Sequence, residues 1–92
     1  MRKILIVEDD TVLNKTLAYN LTSEGYEVVS AYNWKGAVNC FKECEFDIAL
    51  LDINLPDGSG LQLCEEIHGR GKHTYIIFYY SKRQRERYAG RI

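Results

Sequence analysis

No segment of this chain is apolar for long enough to cross a membrane. Its longest hydrophobic runs fall far short of the ~20 residues that a span needs, and its N-terminus lacks the charged-then-apolar pattern of a signal peptide. Both absences predict a cytoplasmic protein that does not engage a membrane. Cysteine is scarce, with three residues and no CxxC pair. Cys40 and Cys44 stand four apart, but no histidine or third cysteine lies near them in sequence to complete a metal site, so free, partly buried thiols are expected. His68 and His73 fall at a helix end and in the following loop, where a solvated histidine is the default. No GxxxxGK loop and no GxGxxG follows the first apolar run, which removes the common nucleotide-binding loops. Repeats and low-complexity tracts are also missing.

Ninety-two residues with 46% hydrophobic content suit one compact domain. The formal net charge of -1 hides an asymmetry. Residues 1–80 carry seven Lys/Arg against twelve Asp/Glu, whereas residues 81–92 carry five against one. An acidic body ends in a cationic tail. Lys82, Arg83, Arg85, Arg87 and Arg91 would give nucleic acid only a sequence-blind, salt-sensitive hold, and the acidic body opposes it, so no direct nucleic-acid binding is expected.

The order of elements is legible from hydrophobic pattern. "KILIV", residues 3–7, is a continuous apolar run that stops at Glu8, Asp9 and Asp10, as a strand buried on both faces would. Thr11 can cap a helix in which Leu13, Leu17 and Leu21 recur every four residues, with Gly25 as its stop. Residues 26–32 read as a second strand. Asn33 is placed to cap a helix that ends near Glu43 and turns Ala37, Val38 and Phe41 inward. Residues 46–53 form a third buried strand, and "NLPDGSG" a loop. Residues 61–67 form a short helix with Leu61, Cys64 and Ile67 inward, and "TYIIFY" a fourth, core strand. Strands alternating with helices predict an α/β, doubly wound parallel sheet.

In such a sheet, ligands bind outside the carboxyl ends of the strands. Glu8 and Asp9 end the first strand and Asp52 lies at the end of the third, so the three carboxylates should converge. Like charges so close need a cation, and an all-oxygen donor set with open water positions suits Mg²⁺, a hard ion that often bridges to phosphate. "DINLPDGSGLQLCEE" imitates a calcium loop, but its glycine falls one place late and Pro56 disrupts the turn, which argues against an EF-hand. A phosphatase with an aspartate nucleophile would want a DxD pattern after the first strand, and "VEDD" fits that poorly, so the chain is expected not to be an enzyme.

"KILIVEDD", "GYEVVSAYN" and "FDIALLDINLPDGSGLQLCEEI" together resemble the receiver domain of bacterial two-component response regulators, most closely those of the winged-helix transcription-factor branch. The resemblance covers residues 2 to about 78. It implies a flavodoxin-like fold and makes Asp52 the aspartate that accepts a phosphoryl group from a sensor histidine kinase. It also implies a Mg²⁺ site built from Asp9 as direct ligand, Glu8 acting through water, Asp52, and the backbone carbonyl of Asn54. Asp10 is left as a bystander. In its complete form such a receiver controls an attached DNA-binding domain; the alternative is a non-switching remnant that serves only in binding or assembly.

The resemblance fails after Phe78. The family carries a Thr or Ser at the end of strand four and a lysine at the end of strand five, whereas this chain reads Tyr79, Tyr80, Ser81 and a basic tail. Back-translating residues 78–92 with permitted codons and reading one nucleotide later yields FITAKDRERDMLAG, the continuation a receiver should have. The expectation is therefore a truncated receiver over residues 1–78, lacking the fifth strand and last helix, followed by a frameshifted, partly helical tail over residues 79–92. An uncovered sheet edge would then favour a homodimer or a domain-exchanged oligomer.

Overall fold

A computed structural model describes residues 2–55, 57–69 and 73–79. The chain runs β1 (Lys3–Val7), α1 (Thr11–Ser23), β2 (Glu27–Ala31), α2 (Trp34–Glu43), β3 (Ile48–Asp52), β4 (Asn54–Leu55), β5 (Gly58–Ser59), α3 (Gly60–Gly69) and β6 (Tyr75–Tyr79). Four strands form a parallel sheet in the order β2-β1-β3-β6. The chain moves outward from β1 to β2 and then back across β1 to β3, and that reversal sets a crevice at the carboxyl ends of β1 and β3. This is the flavodoxin-like α/β arrangement expected from the alternating pattern. The expectations for residues 80–92, a helical tail among them, lie outside the described residues.

Why the sheet holds is visible in its faces. Leu5, Val7, Ala31, Ala49 and Leu51 project from one face into a core completed by Ala37, Val38 and Phe41 of α2 and by Leu63 and Ile67 of α3. Phe41 meets Phe46 edge to face, with ring centroids 5.2 Å apart. Ile4 and Ile6 are buried as well, so β1 is covered on both sides, as its unbroken apolar run requires.

Local chemistry sets the boundaries. Asn33 caps α2 by accepting from the Gly36 N–H at 2.7 Å. Asp57 accepts from the Trp34 and Lys35 N–H groups at 2.7 and 3.2 Å, tying the turn between β4 and β5 to the start of α2. Gly25 has a φ of 98°, the left-handed conformation that stops α1.

Four expectations need correction. The cap of α1 is Asp10, not Thr11: its Oδ1 accepts from the Val12 and Leu13 N–H groups at 3.1 and 3.2 Å. Asp10 stays outside the carboxylate cluster and serves as this cap. In α3 the inward residues are Leu63 and Ile67, while Leu61 is 61% exposed, because the helix begins at Gly60 and its phase turns Leu61 outward. Residues 54–59 are not only loop, since β4 and β5 pair antiparallel. Finally, β6 is only partly a core strand: Ile76 and Phe78 pack against the core, but its other face is open. Among the described strands it is an edge, and Tyr75 and Ile77 are 77% and 51% exposed on the face away from α2 and α3.

Candidate functional site

The sheet register fixes where the acidic residues meet. Val7 pairs with Leu51, so Glu8 follows β1 at the level at which Asp52 ends β3. Glu8, Asp9 and Asp52 each offer a carboxylate oxygen, and these oxygens lie within 4.8 Å of one another. Among the described residues this is the acidic cluster with the spacing of a metal site. Glu8 and Asp52 are both 0% exposed, and Asp9 is half-buried. Asn54 opens β4 two residues past Asp52, with its backbone opposite Ser59. The three carboxylates expected from the sequence to converge thus lie together.

Glu8 is held at both of its oxygens. Its Oε2 accepts from the Asp10 N–H at 2.9 Å and its Oε1 from the Tyr79 hydroxyl at 2.7 Å. Burial pushes the Glu8 carboxyl above its usual range, and the charge of Asp52 and a side-chain hydrogen bond with Asp9 push the same way against those two hydrogen bonds. Burial raises the Tyr79 phenol as well, with its bond to Glu8 and the neighbouring carboxylates adding to the effect. A phenol so shifted stays a donor throughout the physiological range.

Two residues of this site were missed in the sequence. Asn14 lies fully buried on α1, and its Nδ2 donates to the backbone carbonyls of Glu8 and Ala31, both at 3.0 Å. The Glu8 N–H donates to the same Ala31 carbonyl at 3.1 Å. Asn14 thereby clamps the ends of β1 and β2 and fixes the backbone that carries Glu8. A polar residue one place after Leu13, on the side of the helix marked by leucines, was the available signal. Tyr79 was noted only as a departure from a pattern, because its contact spans 71 residues.

What this donor set can do follows from its chemistry. Three carboxylates of which two are buried repel one another unless protons or a cation compensate. Oxygen-only ligands fit a hard divalent ion such as Mg²⁺ and not a thiophilic metal. An aspartate beside such an ion is positioned as a nucleophile toward an electrophilic phosphoryl centre.

Comparison with known proteins gives the same direction. The family model described as "Response regulator receiver domain" matches residues 4–91, a range that continues past Phe78, where the resemblance read from sequence stops. Regulatory protein VanR of Enterococcus faecium is 44% identical over 75 residues, covering 82% of this chain and 32% of that protein. The chain thus spans about a third of the length of that relative. Among solved structures, response regulator TrrA of Thermotoga maritima, in complex with Mg²⁺ and BeF, superposes with a TM-score of 0.79 at 36% identity, covering 89% of this chain and 73% of that one. The non-phosphorylated HemR receiver domain of Leptospira biflexa superposes at 0.82 with 34% identity, covering 95% and 73%.

Proposed function

The chain belongs to the response regulator receiver domain family, a family of phosphorelay signalling domains, and from that premise we propose that Asp52 is its phosphoacceptor. The observation that carries the reading is the meeting of Asp52 with Glu8 and Asp9 within 4.8 Å at the carboxyl edge of the sheet. Glu8, Asp9, Asp52 and the Asn54 carbonyl would hold Mg²⁺, which when bound offsets the negative charge of the phosphoryl oxygens. The protein's own part is positional. The end of β3 presents the Asp52 carboxylate for in-line attack on phosphorus, the bond from phosphorus to the donor breaks (P–N for a phosphohistidine, P–O for acetyl phosphate), and the imidazole or acetate departs opposite.

The natural donor on this reading is the phosphohistidine of a sensor kinase. Control of an attached winged-helix DNA-binding domain belongs to the same proposal, as does cytoplasmic placement; no described helix is long and apolar enough to cross a membrane. So do pairing of two copies along the edge of β6, testable by light scattering, and a shifted reading frame from about Tyr79, testable by sequencing the gene.

Intact mass after incubation with Mg²⁺ and acetyl phosphate tests the phosphoacceptor. One added phosphoryl group is expected, absent in the Asp52→Asn variant. Addition in that variant would reject Asp52.

A further inference from the structure

Tyr79 ends β6 directly opposite Asp52, and Asp52 in turn is level with Glu8. Register partners on neighbouring strands leave the same face of a sheet. Glu8, Asp52 and Tyr79 therefore form a row across three adjacent strands, with Asp52 in the middle. Strands lie about 4.8 Å apart, so the Tyr79 side chain has to pass over the Asp52 position to reach β1. It does so: the hydroxyl donates to Glu8 Oε1 at 2.7 Å, and Asp52 beneath is 0% exposed.

We propose that Tyr79 is a gate on the acidic site, closed by its hydrogen bond to Glu8, so that cation binding and phosphoryl transfer to Asp52 both require that bond to break. The proposal rests on the receiver reading and adds a positioning residue to it. Three features favour a gate over a static strut. With Oε2 already accepting from the Asp10 N–H, the phenol occupies the other oxygen of Glu8. A buried acceptor aspartate cannot meet a phosphodonor until its cover moves. And Tyr79 is half-buried on the sheet face opposite the core of α2 and α3, so its ring can turn about χ1 without disturbing the side chains packed around Leu51 and Phe41.

The hydrogen bond to Glu8 is short, at 2.7 Å, and is charge-assisted whenever the carboxyl is ionised. Removing it should release the carboxylate for the cation.

The test is calorimetric titration of the full chain with Mg²⁺ alone, comparing wild type with Tyr79→Phe, beside near-ultraviolet difference spectra of both. Phe keeps the ring and loses the donor. The expected result is about tenfold tighter Mg²⁺ binding in the variant, or about 1.4 kcal/mol. A tyrosine difference signal should also follow Mg²⁺ in wild type and vanish in Tyr79→Phe. Equal or weaker binding by the variant would overturn the gate and leave the metal site standing. No binding by either folded chain would overturn the metal site, and the gate with it. Should Tyr79→Phe fail to fold, the wild-type spectrum decides: a tyrosine signal that titrates with Mg²⁺ supports the gate, and binding without one rejects it.

Discussion

Replacing Asn14 by alanine tests whether the site's geometry is set from behind the sheet. The side chain is fully buried and donates twice, to the carbonyls of Glu8 and Ala31 at 3.0 Å each. A buried neutral hydrogen bond contributes about 1 kcal/mol net, and an acceptor left unsatisfied costs about 1–3 kcal/mol. The two carbonyls are not equivalent. Ala31 keeps the Glu8 N–H at 3.1 Å, so the Glu8 carbonyl takes the larger loss. One gain opposes these terms, since Asn14 Oδ1 is buried without a hydrogen bond and disappears with the side chain. The balance is a destabilisation of about 2–3 kcal/mol, a large fraction of the stability of a domain this size. Urea unfolding followed by the fluorescence of the single tryptophan, Trp34, measures it. The midpoint should fall at unchanged m. A loss under about 0.5 kcal/mol, the range of ordinary surface changes, would refute the clamp.

Other expectations follow from single contacts. Phe41→Ala empties a fully buried ring site beside Phe46 and should cost about 3–5 kcal/mol in the same unfolding assay. Asp57→Ala removes the acceptor for two N–H groups at the start of α2 and should cost about 1–2 kcal/mol, read as a lowered urea midpoint. Because burial raises the Glu8 carboxyl, the folded, metal-free chain holds that proton more tightly than the unfolded chain does. The associated stability is complete below the ordinary carboxylate range and declines as pH rises through the raised value. Glu8→Gln should flatten that decline in unfolding curves taken from acid to neutral pH, and an unchanged slope would contradict the assignment.

The sequence disclosed most where one local signal sufficed. β1 was readable to the residue because a strand covered on both faces must be apolar throughout, and α2 because Asn33 and the spacing of Ala37, Val38 and Phe41 agree. Thr11 and Asp10 are adjacent residues of equal capping type, and only the backbone geometry chooses Asp10. The phase of α3 rested on few apolar residues, so Leu61 and Leu63 were exchangeable on paper. An apolar run such as "YIIFY" reads alike for a central strand and an edge one, since what covers it is decided by other elements. The carboxylates were legible because strand ends converge by topology. Asn14 and Tyr79 were not, because each acts through partners distant in the chain.

The claim that Asp52 is the phosphoacceptor is tested most directly by trapping the acyl phosphate. The chain is incubated with Mg²⁺ and acetyl phosphate, reduced with borohydride, digested and sequenced by mass spectrometry. Homoserine in place of Asp52, dependent on the phosphodonor, is the predicted result. Homoserine at Asp9 or another carboxylate, or none in a chain shown to be folded, would contradict the account.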